Sequence, residues 1–473
     1  MFRTLGLLGV LLCLVACQSI EIEAKCDVGH ACVRLQVNET PEIQNSTLLI
    51  GPESRVLKPV SAILQAAISE TEVLEGFEVS KQDLYEEDLS AQGLYQQNLL
   101  NLINADALWN ISQGEGITVA VIDSGVDANH ESLKQNVLPG YDFIEHTMNM
   151  RDPLGHGTAV AALIAGHAGI KGIAPKAKIL PLRVLDERNQ ASVFDTTQAI
   201  LYAADLLPDL PNPYPAKVIN LSLGGYAYIE PMYQAIALVR QKGVIVVAAV
   251  GNSGKRVAYP AGFPEVIGVG SAYVNLDKWQ RESYSAYGAG LDILAPTGGV
   301  TQTHWGLYRE EAVLSARAGS LDGTVAMTGT SVAAPQVAGL VALLLALGKT
   351  PDQTEKLILG SSADIGDLGW DQSTGFGLMN PLATLRAATS RVNTQPVSIQ
   401  VLDAGSQQEL SYFSGAFLQT FTLTQGNYRF FIWQDLSLDH LWQVGEPCAY
   451  RTQDLQNREI LEIDLELKKD CEL

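Results

Sequence analysis

Residues 91–391 predict an α/β domain built on a parallel sheet, and residues 395–473 predict a small all-β module. The first expectation rests on short, almost wholly apolar runs at 118–122, 179–184, 217–221, 244–249 and 266–269. Longer helical stretches lie between and after them, at 158–165, 195–206, 231–241 and 331–347. Strands that lack polar alternation and alternate with helices belong to a sheet covered on both faces. The second expectation rests on period-two alternation at 397–402 and 428–433, beyond a polar break at 390–396. That pattern reads as a β-sandwich-like unit.

Composition narrows the possible partners. A chain of 473 residues with 47% hydrophobic residues and 42 glycines fits a turn-rich globular protein of more than one domain. Its net charge of −21 argues against nucleic acid, which requires a basic surface.

Residues 1–16 read as a secretory signal. Met1 to Arg3 make a short basic start, and the apolar stretch 5–16 is too short to span a bilayer. It ends in Leu14-Val15-Ala16-Cys17, which resembles the bacterial lipobox. The resemblance implies cleavage before Cys17 and acylation of that cysteine, with a lipid membrane as partner. Gln18 is not the aspartate of inner-membrane retention, so the outer membrane or cell surface is the expected location. A plain signal peptide, giving a secreted protein, is the other reading. Cys26, Cys32, Cys448 and Cys471 remain, an even number in an exported chain, and suggest disulfides. Local pairs, Cys26 with Cys32 and Cys448 with Cys471, are favoured over zinc, since no histidine pair stands near them at ligand spacing.

Three segments carry the chemistry. The run 118–122 leads directly into Asp123-Ser124-Gly125, which places a carboxylate at the carboxyl edge of the sheet, where α/β sites collect. Gly155-His156-Gly157-Thr158 opens a helix, with glycines that permit close backbone approach on both sides of the ring. Gly329-Thr330-Ser331 precedes a third helix, so Ser331 sits where backbone N–H groups face developing negative charge. A serine hydroxyl needs a base, and the base needs an orienting carboxylate. Singly, Asp123 could be a turn residue, His156 a satisfied helix-start histidine and Ser331 an N-cap. Jointly they form an Asp-His-Ser set.

The blocks 119–133, 155–166, 246–254 and 327–345 resemble the four signatures of the subtilisin-like serine proteases, in the same chain order. The likeness covers 91–391, including Tyr95, Asn104-Ala105 and Trp109 at its start and Gly375-Phe376-Gly377-Leu378-Met379-Asn380 near its end. It implies a serine endopeptidase acting on protein or peptide substrates through an acyl-enzyme. Asn252, in Val250-Gly251-Asn252-Ser253-Gly254, is implied as the oxyanion donor beside the Ser331 N–H. Leu221-Ser222-Leu223-Gly224-Gly225 resembles the edge segment that pairs with substrate backbone. Ser222, Leu223 and Gly224 with Ala249, Val250 and Gly251 would wall the primary pocket, and Ala258 would lie near its floor. No charge falls in these stretches, which implies an apolar or large uncharged residue before the cleaved bond; Lys255 and Arg256 would favour acidic groups farther out.

The sequence also departs from the family pattern. Ala159, Val332 and Gln336 replace a frequent histidine, methionine and histidine, none of them a catalytic group. Residues 17–90 are either a pro-segment or an unrelated accessory β module. The second is the closer description of their β-like runs at 32–37 and 47–50 and helical pattern at 59–69. No cofactor is expected. At the family's strong calcium position stands Ser132, and the loop Gly166-His167-Ala168-Gly169-Ile170-Lys171-Gly172 supplies no Asp or Asn, so no ion is expected there. Weak sites near Asp435 and Asp439 remain possible. Two rival readings are an inactive scaffold used as a surface adhesin and a maturase dedicated to one partner.

Overall fold

The computed structural model describes residues 57–70, 73–76, 103, 105–275, 278–297, 301–303, 306–308, 313–367 and 369–389, and four strands between 397 and 455. The chain divides into Met1–Lys58, almost wholly outside the described residues, and Pro59–Leu473, to which the following applies.

Helix α1 (Val60–Ile68), strand β1 (Val73–Gly76) and the short helix α2 (Ala105–Trp109) come first. β2 (Thr118–Asp123) and β3 (Tyr141–Asp142) lead to α3 (His156–Ala165). A tight hairpin of β4 (His167–Ala168) and β5 (Ile170–Lys171) follows, then β6 (Lys178–Arg183). β7 (Gln190–Ser192) runs into α4 (Val193–Ala203), and β8 (Val218–Leu221) and β9 (Leu223–Gly224) precede α5 (Glu230–Gln241). β10 (Ile245–Ala249), β11 (Val266–Asn275), β12 (Lys278–Arg281) and β13 (Ile293–Pro296) complete the main sheet. Two hairpins, β14 (Thr301–Thr303) with β15 (Gly306–Tyr308) and β16 (Val313–Ala316) with β17 (Thr324–Met327), lead to three helices. These are α6 (Thr330–Ala346), α7 (Pro351–Gly360) and α8 (Pro381–Thr389). Last come β18 (Val397–Asp403), β19 (Glu409–Gly415), β20 (Gly426–Gln434) and β21 (Cys448–Leu455).

The main sheet has the order β12-β11-β10-β8-β2-β6-β3, with β13 also beside β11; all its pairings except β11–β12 are parallel. The α/β expectation holds. Alternate side chains of each strand feed opposite cores. Val119 and Val121 pack with Val160, Ile164 and Val337, from α3 and α6. Ala120 and Ile122 pack with Ile200 and Ile236, from α4 and α5. Helix α6 is buried from Thr330 through Leu344, so a helix apolar on every side runs through the interior.

Boundaries moved where local chemistry overrode the apolar pattern. α4 ends at Ala203, because Asp205 takes a left-handed backbone (φ 54°) and Leu206 N–H returns to Leu201 O. β11 continues past Val269 through Gly270, Ser271 and Ala272, held by β13 and β12. β18 to β21 form one antiparallel sheet, in the order β19-β18-β20-β21. A facing second sheet, which a sandwich would require, is not found among the described residues. Cys448 opens β21, whereas Cys17, Cys26, Cys32, Cys471, Asp435, Asp439 and the runs 32–37 and 47–50 lie outside the described residues.

Candidate active site

The chain enters the sheet at β2 and builds outward on both sides, β6 and β3 to one flank and β8, β10 and β11 to the other. This reversal opens a crevice at the carboxyl ends of the central strands. Asp123 closes β2 there, its carbonyl taking Val184 N–H at 2.8 Å and its side chain fully buried. Asp123 Oδ1 lies 2.7 Å from His156 Nδ1 and accepts Ser124 N–H at 2.7 Å. His156 is the first residue of α3, after Gly155 in a left-handed backbone (φ 81°). At Gly157 a Cβ would fall 2.1 Å from Gly125 O, so only glycine lets this helix approach the Asp123 turn so closely. Asp127 is a surface turn residue, its carboxylate taking Asn129 and Gly319 N–H.

Ser331 lies in the first turn of α6, which packs against α3. Its Oγ is buried and has no hydrogen-bond partner among the described residues, as a hydroxyl reserved for a reacting group would be. Pro335 sits one turn on and has no N–H, so the Ser331 carbonyl loses its helical donor. Ser222 Oγ replaces it at 3.0 Å, and itself accepts from Asn220 Nδ2 at 3.0 Å. The residue expected only as a pocket wall therefore also holds the nucleophile's backbone.

Asn252 Oδ1 accepts both Thr330 N–H (3.0 Å) and Thr330 Oγ1–H (2.9 Å), and Thr330 Oγ1 in turn accepts Gly251 N–H at 3.1 Å. With its oxygen so held, the amide orientation is fixed by the network and its NH2 is directed away from Thr330. Thr330 is a site residue that the sequence pattern did not single out.

Leu221, Ser222, Leu223, Val250, Gly251 and Ala258 are all buried, and Gly224 lies in β9. Ala258 N–H bonds Val250 O at 2.9 Å, and Gly225 and Tyr259 exchange backbone bonds at 2.8 and 2.7 Å. These bonds bring the predicted walls and floor together. Arg256 is pinned to Tyr226, by its carbonyl at 3.0 Å and its ring at 5.6 Å.

A segment of the chain itself pairs with the edge at Leu223–Gly224. β1 is the middle strand of a three-stranded antiparallel sheet, between β7 and β9. Val73, Leu74 and Glu75 stand opposite Ser192, Ala191 and Gln190, while Glu75 and Gly76 stand opposite Gly224 and Leu223. Leu74 is wholly buried and Val73 exposed, as strand alternation requires. Ahead of it α1 lays Ile63 and Ala67 into the core, packed on α4 and α5.

Asp152 is the other group the sequence did not reveal. It is half-buried between the Asp123 turn and α3, although an Asp four residues before a helix-opening histidine was a readable signal. The calcium position does not fit an ion: Ser132 Oγ accepts Ile170 N–H at 3.2 Å, and Glu131 pairs outward with Lys134 at 2.6 Å.

A buried carboxylate on an imidazole, a reserved serine at a helix N-terminus and an oriented amide define a hydrolase of the nucleophilic serine class. The sequence model of the Subtilase family matches residues 114–377. The chain belongs to that family, and this stretch is its serine endopeptidase domain. It is 34% identical to Thermitase of Thermoactinomyces vulgaris over 56% of this chain and 88% of that protein. It is 33% identical to Subtilisin Savinase of Lederbergia lenta over 58% and 92%. With the Thermophilic serine proteinase of Bacillus sp. strain AK1 it shares 35% identity over 56% of this chain but only 61% of that protein. A solved protease of Pseudoalteromonas arctica superposes with a TM-score of 0.55 at 29% identity, over 62% of this chain and 97% of that one.

Proposed function

We propose that the protein is an endopeptidase of the bacterial cell envelope that binds polypeptides as an extended strand and cuts after an apolar or large uncharged residue. The observation that carries this reading is β1, which lies antiparallel between β7 and β9 as a substrate strand would. Ser331 Oγ attacks the carbonyl carbon and passes its proton to His156, which Asp123 orients. Asn252 and the Ser331 N–H take the oxyanion, a role whose loss costs about a hundred- to a thousandfold in turnover. His156 then returns the proton to the leaving amine, and water releases the acyl-enzyme by the same path. The uncharged Ser222–Gly224 and Ala249–Gly251 walls and Ala258 support the apolar preference. Because residues 17–90 supply β1, we assign them the part of a pro-segment that must leave the groove. Leu14-Val15-Ala16-Cys17 supports anchoring by lipid on Cys17.

The test is labelling of the purified chain with a fluorophosphonate, with casein and peptide cleavage alongside. Ser331→Ala should abolish labelling and cleavage, and peptides with Phe or Leu before the cut should outrun those with Asp or Lys. Wild type should fractionate with membranes and Cys17→Ser should not. Strong casein cleavage by Ser331→Ala would sink the assignment of the nucleophile, and an unmodified, freely soluble wild type would sink the anchor.

A further inference from the structure

We propose that Asp152 is a positioning residue of the proteolytic site, a half-buried carboxylate that locks the Asp123 turn to the first turn of α3 and places a second negative charge beside the turn that carries His156. The inference rests on the reading of Asp123, His156 and Ser331 given above. Asp152 Oδ1 accepts Ser124 Oγ–H at 2.8 Å and Gly155 N–H at 2.8 Å. Its Oδ2 accepts Thr158 N–H at 2.8 Å and Thr158 Oγ1–H at 2.5 Å. Ser124 Oγ in turn accepts Gly157 N–H at 2.9 Å, and Thr158 Oγ1 accepts Asp127 N–H at 2.8 Å. Every residue from 155 to 158 except His156 is thus tied, directly or through one hydroxyl, to Asp152.

These bonds do two things. They satisfy free N–H groups of the first turn of α3, whose N-cap is a glycine without a side chain. They also hold Ser124, and so the Asp123 carboxylate beside it, at a fixed distance from the ring. Rotation of either segment would break the 2.7 Å Asp123–His156 contact. A carboxylate has about four acceptor positions. Here four donors fill them and leave no acceptor for a carboxyl proton, so the anion is the form that fits. Burial pushes this carboxyl above the usual carboxylate range, against the pull of the Thr158 and Ser124 bonds.

Other charges near the ring are accounted for. Among the elements packed on α3, β2 brings Asp123, β5 brings Lys171 and β6 brings Lys178 and Arg183, while α6 and β16 bring none. Arg183 pairs with Asp142 at 2.8 Å, and Lys178 bonds Gln135 O at 2.7 Å. Lys171 stands over the Trp109 ring at 5.1 Å. Arg151, next to Asp152, pairs outward with Glu145. Asp152 therefore adds negative charge at the end of the helix where the imidazolium forms.

The test compares wild type, Asp152→Asn and Ser124→Ala as full chains, with fluorophosphonate labelling to count competent sites. For Asp152→Asn, kcat per labelled site should fall about 10- to 100-fold with KM changed by less than about twofold. The acid limb of its pH–rate profile should move to lower pH by about 0.5 to 1 unit, since the imidazolium loses a stabilising charge. Ser124→Ala keeps the charge and breaks the link, so kcat per site should fall with the limb in place. A residue that only caps the helix would lower the labelled fraction and the melting temperature without moving the limb. An unmoved limb in Asp152→Asn overturns the proposal whatever kcat does. If that variant does not fold, a Ser124→Ala enzyme with wild-type kcat per site overturns it. Failure to label in both the wild type and Leu74→Ala, which loosens β1, strikes the protease reading instead.

Discussion

Truncating Leu74 tests the occupation of the groove by β1 with a magnitude set by the structure. Its side chain is wholly buried in the core shared with α4 and α5. Leu74→Ala removes three carbons from that contact, at ~0.8 kcal/mol for each, or ~2 kcal/mol. Since 1.4 kcal/mol is tenfold, β1 should hold the groove about 30-fold less tightly. Both proteins carry Ser331→Ala, so that neither cuts itself, and the assay is fluorescence anisotropy of a labelled extended peptide. A competing strand weakens apparent peptide affinity by its own occupancy, so the double variant should bind the peptide more tightly, by up to that factor. Equal affinity in the two proteins would show that β1 does not compete for the groove, and would remove the main support for the substrate-pairing reading.

Two further expectations concern the folded state. Burial pushes the Asp292 carboxyl up to about 7, although it accepts Gly268 N–H at 2.7 Å. The native state thus keeps a proton that the unfolded chain releases near 3.8, so this group's stabilising contribution is present at acid pH and lost as pH rises toward about 7. At ~1.36 kcal/mol per unit that is of order 4 kcal/mol; in a Ser331→Ala background, Asp292→Asn should gain stability relative to its parent between pH 5 and 8, and parallel melting curves would refute this. The Ser132 site should give a Ser331→Ala protein whose melting temperature is the same in chelator and in millimolar calcium; a rise that persists after Asp435→Asn and Asp439→Asn would place an ion where Ile170 N–H meets Ser132.

Much of the fold was legible because the peptidase strands are apolar without interruption. Residues 118–122 could hardly be anything but a covered strand, and the glycines around His156 announced a close approach that the Gly157–Gly125 contact realises. Signals carried by small polar residues were harder to weigh. Thr350 and Gln353 form a reciprocal cap at the start of α7, a Thr-x-x-Gln spacing readable in principle yet lost beside a long apolar helix. Thr330, Ser124 and Asp152 act through hydrogen bonds between segments far apart in the chain, which periodicity cannot reveal. The same holds for β1: Val73 to Gly76 is a short, unremarkable run, and its meaning comes from the two distant edges that receive it.

Chain order gives the position of β1 a further consequence. The strand lies between Cys17 and the whole peptidase domain, with 28 residues from Phe77 to Asn104 before the first helix of that domain. If Cys17 carries lipid, any scission in this connection does two things at once. It severs the covalent link between the strand and the enzyme it blocks, and the one between the enzyme and the bilayer. Tethered molecules would then be the dormant reserve and soluble ones the armed population. Activity and diffusion would be released by a single event, and membrane fractions would be rich in antigen yet poor in turnover.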